Sequence, residues 1–135
     1  MQTQPSTEPN VSHSAGQTIL IADDEPHIRH LVGSKLRKAG YHVIEAANGQ
    51  DALALAREHH PSLIVTDFQM PVMSGFQMSQ ILSEDDKTLR IPIILLTARG
   101  HKIALTELAK TGIRLVMDKP FSPRQLLENV QEHLQ

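Results

Sequence analysis

Cysteine and tryptophan are absent from the 135 residues, and the chain holds one tyrosine and three phenylalanines. Without thiols there is no disulfide, no thiolate nucleophile and no Cys-ligated zinc, a composition that fits a reducing compartment. The scarce aromatics and a formal net charge of -2 argue against a base-stacking surface or a groove for a phosphate backbone, so no direct nucleic-acid contact is expected. No apolar run approaches the roughly 18 residues of a membrane span, and the N-terminus lacks the basic start and apolar core of a secretory signal. The expectation is a soluble, cytoplasmic protein that does not touch a membrane. The length suits one domain with a real core and leaves no room for a second.

Met1 to Gln17 contain Pro, Ser, Thr, Gln, Asn and His with almost nothing to bury. Ordering them would cost more conformational entropy than their contacts return, so a flexible tail is expected over 1–17 and a folded domain over 18–135. From Thr18 onward, short β-branched runs alternate with longer segments of helical spacing. Strands are expected at Thr18 to Ala22, His42 to Ala46, Leu63 to Thr66, Pro92 to Leu96 and Arg114 to Met117, four of them apolar enough to be buried on both faces. Pro26 suits a first helical turn, and Ile28, Leu31, Val32, Leu36 and Ala39 make one apolar stripe that stops at Gly40. Asn48 is expected to cap a second helix and Ser74 a third; Ile103, Leu108 and Ala109 mark a fourth that ends at Gly112. Ser122 and Gln125 form a capping box for the fifth, with Pro123 in its first turn and Leu126, Leu127, Val130 and Leu134 facing inward. The order is (βα)5, an α/β fold with a parallel sheet between two layers of helices.

In open parallel sheets the site lies beyond the carboxyl ends of the strands. There the chain places Asp23 and Asp24 after Ile19-Leu20-Ile21-Ala22, Asp67 after Leu63-Ile64-Val65-Thr66, Thr97 after Ile93-Ile94-Leu95-Leu96, and Lys119 after Leu115-Val116-Met117-Asp118. Taken singly, all but Asp67 have a plainer use: Asp23 or Asp24 can cap the helix at Pro26, Thr97 can be a strand-end hydroxyl, and Lys119 a loop lysine. Together at one edge they point to a site. Three carboxylates repel one another unless a cation sits among them, and an oxygen-only donor set suits Mg²⁺, with Mn²⁺ able to substitute. Asp67 would then attack a phosphoryl group whose oxygens Lys119 and Thr97 contact. Met70, Met73 and Met78 read as packing residues, and the eight histidines, His27/His30 and His59-His60 included, show no ligand spacing.

These residues, in this order and spacing, resemble the receiver domain of two-component response regulators, of the single-domain, chemotaxis-regulator-like type. The resemblance covers Thr18 to Gln135. It is carried by Asp23-Asp24-Glu25-Pro26, Ala47-Asn48-Gly49, Asp67 with Met70-Pro71 and Gly75, Thr97-Ala98, Gly112, and Lys119-Pro120-Phe121. It implies a flavodoxin-like sandwich with strand order 2-1-3-4-5, and a histidine kinase or histidine phosphotransfer protein that donates phosphate to Asp67. Asp24, Asp67 and the backbone carbonyl of Gln69 would bind Mg²⁺ directly, Asp23 mostly through a water. Thr97 and Lys119 would contact the phosphoryl group, Thr97 moving toward it after transfer, and the Lys119-Pro120 bond would be cis. The implied activity is limited to self-phosphorylation from a donor and slow self-dephosphorylation. The implied output is a change in protein-partner binding at the face of the fourth helix, fifth strand and fifth helix, where Glu107, Lys110, Arg114, Asp118 and Arg124 are candidate exposed charges. The oligomeric state expected is a monomer or a weak phosphorylation-dependent dimer.

Among the switch and tuning positions, Thr97, Ala98, Arg99 and Val116, one departs from the family pattern. Val116 stands where receivers usually carry a Tyr or Phe, and its short, stiff side chain cannot swing as a ring does. Gln69 and Arg99 occupy positions that in the family tune loss of the phosphate; Arg99 either pairs with or shields the phosphoryl group, or is an exposed loop charge. Two other classes stand beside the receiver. One is a receiver-like interaction module independent of phosphorylation. The other is a Mg-dependent aspartyl-phosphate phosphatase of the haloacid-dehalogenase kind, which would need an acid two residues after the nucleophile, where this chain has the neutral Gln69.

Overall fold

The computed structural model describes residues 16–98 and 101–134, so most of the expected tail, Met1 to Ala15, and also Arg99 lie outside the described residues. Strands β1 (Thr18–Ala22), β2 (His42–Ala46), β3 (Leu63–Asp67), β4 (Ile93–Ala98) and β5 (Ile113–Lys119) alternate with helices α1 (Pro26–Lys38), α2 (Gly49–His59), α3 (Gly75–Leu82), α4 (Leu105–Leu108) and α5 (Pro123–His133). All pairings are parallel, and the sheet order is β2-β1-β3-β4-β5, the implied order.

The period-2 alternation of a strand sends Ile19 and Ile21 to one face and Leu20 and Ala22 to the other. The first face packs under α1 and α5, with Val32, Leu36, Leu126 and Val130 against Val65 and Ile94. The second packs under α2 and α3, with Ala52, Ala56, Met78 and Leu82 against Ile64 and Leu95. Of the four strands expected to be buried on both faces, β1, β3 and β4 are. β5 is instead an edge strand, with Arg114 and Asp118 exposed and Leu115 to Met117 half-buried. Its composition resembles that of the central strands, and only its place in the sheet leaves it half-covered.

The helix signals largely act as read. Asn48 Oδ1 accepts from Asp51 N at 2.8 Å. Ser74 and Gln77 make a reciprocal capping box, and α1 ends before Gly40 at φ +101°. Ser122 Oγ accepts from Gln125 N at 3.2 Å, but the box expected there is one-sided. Leu31 is 46 % exposed rather than part of an inward stripe: Val32 and Leu36, one turn apart, set the buried face of α1, and Leu31 falls on its flank.

The fourth helix is the larger correction, because α4 is four residues long and stops at Leu108. Ile103 packs half-buried from before the helix, and Ala109 is exposed. At the start, Ala104 has no side-chain oxygen to cap the free amides. At the end, Thr111 Oγ1 donates to Leu108 O at 2.8 Å and accepts from Ile113 N at 3.1 Å, turning the chain into β5. Among the described residues no helix is long and apolar enough to cross a membrane.

Candidate functional site

Three strands run further than their apolar cores. β3 ends at Asp67, β4 at Ala98 and β5 at Lys119, so Asp67, Thr97 and Lys119 sit on the last rungs of the ladder rather than in the loops beyond. The register sets Asp67 beside Leu96, Thr97 beside Asp118, and Ala98 beside Lys119. Every strand points its carboxyl end the same way, so Asp67, Thr97 and Lys119 share one edge with the Asp23-Asp24 turn.

Lys119 Nζ stands 3.1 Å from Asp67 Oδ1, 3.5 Å from Asp23 Oδ2 and 3.8 Å from Glu25 Oε1. Carboxylate oxygens of Asp23, Asp24 and Asp67 lie within 4.8 Å of one another; Asp23 and Asp67 are buried and Asp24 is exposed. Burial, and then the neighbouring Asp23 carboxylate, push the Asp67 carboxyl above its ordinary range despite the pull of Lys119. Burial raises Asp23 as well, partly offset by the Glu25 amide and by Lys119. For Lys119, burial works against the charge, but Asp23 and Asp67 outweigh it and hold the ammonium above its ordinary value. One lysine therefore does not neutralise the acids around it.

Asp23 shows what would complete the set. Its amide donates to Ala46 O at 3.1 Å, its carbonyl accepts from Arg29 Nη1 at 2.6 Å, and its Oδ1 accepts from Glu25 N at 2.9 Å. Among the described residues, Asp23 Oδ2 is the buried side-chain oxygen left without a hydrogen-bond partner. A buried carboxylate oxygen is costly unless it is compensated, and the cation beside it, Lys119 at 3.5 Å, is shared with Asp67 and Glu25, which leaves room for a second. The donor set is all oxygen and suits a hard divalent ion. These residues fit the metal that their pattern implied.

The loop after Asp67 is clamped. Phe68 N donates to Leu96 O at 2.8 Å, and Gly75 N to Phe68 O at 2.9 Å. A Cβ on Gly75 would overlap the Asp67 carbonyl oxygen, and one on Gly49 the Met73 carbonyl oxygen, so both closures need glycine. Between them Val72 is held at φ +72° in a three-residue turn closed by Met73 N to Pro71 O at 2.7 Å, a strained setting for a β-branched side chain that is 75 % exposed.

The other expected positions separate. Thr97 is buried, and Gln69 and Ala98 are exposed. Ala98 borders a groove formed with Ile28, Leu31, Lys119, Pro120 and Phe121. Val116 shares a rung with Leu95 and packs toward the α2–α3 core. The Lys119-Pro120 bond is cis, as the family pattern implied. Glu107, Lys110, Arg114, Asp118 and Arg124 are all exposed. Sequence reasoning gave no site role to Glu25, Arg29 or Glu45. Glu45 carried a signal, a lone acid inside the run Val43-Ile44-Glu45-Ala46, but Arg29 carried none.

Fold and site together define a flavodoxin-like α/β domain with an acidic, cation-ready pocket at the carboxyl edge of its sheet. Residues 19–131 match the family model of the response regulator receiver domain, and the chain belongs to that family. It is 40% identical over 116 residues to the phosphate regulon transcriptional regulatory protein PhoB of Pseudomonas aeruginosa, a match that covers 86% of this chain and 51% of that protein. The chain thus spans about half the length of that curated relative. Among solved structures it is similar to the chemotaxis response regulator CheY4 of Vibrio cholerae, with TM-score 0.80 and 34% identity over 87% of this chain and 98% of the other. The receiver domain of the sensor histidine kinase PA1611 of Pseudomonas aeruginosa, with TM-score 0.77 and 29% identity over 87% and 97%, has a magnesium ion coordinated in its active-site cleft. In this chain Asp23, Asp24 and Asp67 form the acidic pocket typical of a two-component phosphoacceptor site.

Proposed function

We propose that Asp67 accepts a phosphoryl group from a phosphohistidine on a histidine kinase or histidine phosphotransfer protein. The observation that carries this reading is the buried Asp67 carboxylate, 3.1 Å from Lys119 Nζ at the open edge of the sheet. An Asp67 oxygen attacks phosphorus, the new P–O bond forms as the P–N bond to the donor imidazole breaks, and the imidazole leaves neutral after taking up a proton. Asp24, Asp67 and the Gln69 carbonyl would hold Mg²⁺, or Mn²⁺ in its place, with Asp23 acting mostly through a bound water, and the bound ion would supply screening of the acids from the incoming phosphoryl charge. Lys119 turns from the carboxylate to a phosphoryl oxygen, and the Thr97 hydroxyl donates to another. Arg99 is proposed to pair with or shield the bound phosphate.

The product is a switch rather than an enzyme acting on a separate substrate. Added charge biases two pre-existing conformations, and partner affinity changes at the face of α4, β5 and α5. The exposure of Glu107, Lys110, Arg114, Asp118 and Arg124 supports that face. The assignment carries with it a receiver over 18–135 behind a tail over 1–17, a cytoplasmic setting, and a monomer or weak phosphorylation-dependent dimer. Val116 favours one second reading, an interaction module that does not use phosphate, because a half-buried valine has no ring to exchange between sites.

The test is intact mass after incubation with a small-molecule phosphodonor and Mg²⁺, with and without EDTA, on the wild type and Asp67→Asn. A gain of one phosphate that needs both Mg²⁺ and Asp67 is expected. An unmodified wild type that is folded, or incorporation that survives in Asp67→Asn, overturns the assignment.

A further inference from the structure

Between α1 and the edge strand β2 lies a chain of ion pairs that the phosphoryl chemistry does not use. Arg37 Nη2 meets Glu45 Oε2 at 2.9 Å, and Glu45 Oε1 meets Arg29 Nε at 3.5 Å. Arg29 continues it inward, giving the 2.6 Å hydrogen bond to the Asp23 carbonyl. The Arg29 side chain is 20% exposed and Glu45 30%, so the pair is partly shielded from solvent. Gly33, in the interior of α1, makes the room: a Cβ there would come within 3.0 Å of Arg37 Nη1 and 3.2 Å of Glu45 Oε2. Glycine inside a helix is unfavourable relative to alanine, so the space beneath this ion pair is kept against local preference.

The direction of the chain matters more than its presence. A mere staple between helix and strand would be satisfied by Arg37 and Glu45. Arg29 reaches past Glu45 to the backbone of an acid whose amide is already tied to Ala46 O and whose Oδ1 is tied to Glu25 N. Three fixed contacts leave Asp23 Oδ2 as its oxygen without a hydrogen-bond partner, 3.5 Å from Lys119.

We infer that Arg29, oriented by Glu45, is a positioning residue that sets the Asp23 main chain so that its Oδ2, the oxygen without a hydrogen-bond partner, faces the place a cation would take. Arg29 touches neither the ion nor the phosphoryl group. This rests on the metal-dependent phosphoacceptor reading above. A planar guanidinium serves because it can pair with Glu45 at Nε while donating to the carbonyl from Nη1, which an ammonium at the end of a flexible stem does not reproduce.

The test is Mg²⁺ affinity, measured by titration calorimetry without phosphodonor on the full chain, alongside thermal melts in EDTA. Arg29→Gln is expected to weaken Mg²⁺ binding about tenfold, the usual scale for losing a group that orients a ligand. Arg29→Lys should recover only part of it. Glu45→Gln should weaken it in the same direction, and carries the test if Arg29→Gln does not fold. Arg37→Gln removes the outer ion pair without touching Asp23 and should leave Mg²⁺ affinity unchanged while lowering the melting temperature. A wild-type affinity in folded Arg29→Gln or Glu45→Gln, or an equal loss in Arg37→Gln, overturns the inference and leaves the phosphoacceptor reading standing. A wild type that does not bind Mg²⁺ overturns both.

Discussion

At the residue scale the pocket is organised around charges the fold does not want. Asp23 and Asp67 are buried together, and the Asp67 carboxyl is shifted upward chiefly by that burial. A native carboxyl that holds its proton more tightly than the unfolded chain makes stability fall as pH rises through its native value. Below the ordinary carboxyl range both states are protonated, and the cost is gone. Without Mg²⁺, Asp67→Asn should therefore melt above the wild type at pH 7, by several degrees if about 1 kcal/mol is recovered, and the difference should shrink as pH is lowered toward 4. With Mg²⁺ at neutral pH the order should narrow or reverse, because the ion stabilises only the charged site. Melts of both proteins across pH, in EDTA and in Mg²⁺, check the sign; a wild type that melts above Asp67→Asn in EDTA at pH 7 would show that Lys119 outweighs burial.

At the element scale, strand ends and helix caps explain why some boundaries were readable and others were not. Asn48 and Ser74 carry the side-chain oxygen that satisfies free helical amides, and both act as their positions suggest. The apolar runs of β3, β4 and β5 stop short of the strand ends, and the ladder carries on through Asp67, Ala98 and Lys119, since backbone pairing is indifferent to side-chain polarity. α4 is the opposite case: its apolar residues suggested a longer helix than one uncapped at Ala104 can hold. Ala104 has the extended backbone of a cap, and Glu107 is already three residues on. Ala104→Ser should stabilise α4 by about 1 kcal/mol and slow hydrogen exchange at the Leu108 and Ala109 amides about fivefold, with little change elsewhere. Unchanged exchange at those amides would mean that the cap is not what limits the helix.

For the whole molecule, the sheet divides two cores. Leu36, on α1, and Ile93, on β4 facing α2 and α3, are each 1 % exposed and belong to different clusters. Leu36→Ala should cost about 3 kcal/mol and Ile93→Val about 1 kcal/mol. Because the two lie in separate clusters, the double variant should cost their sum to within about 0.5 kcal/mol in urea unfolding. A larger departure would mean that strain crosses the sheet. The same division puts the acidic pocket where both layers stop: α1 brings Arg29 to Asp23 from one side, and the loop into α3 closes on Asp67 from the other.

The sequence by itself determined the alternation of strands and helices, the edge at which polar groups gather, and the place of Asp23, Asp24, Asp67, Thr97 and Lys119 at that edge. Those features follow from local periodicity and from the rule that parallel strands open their carboxyl ends together. Tertiary structure decided what depends on neighbours distant in the chain. It made β5 an edge, put Lys119 within reach of three acids, and left Asp23 Oδ2 without a hydrogen-bond partner. It also gave Arg29 a carbonyl to hold, because an arginine on a helix shows nothing in sequence of the backbone it will meet, whereas an apolar residue at the right spacing already says which way it must face.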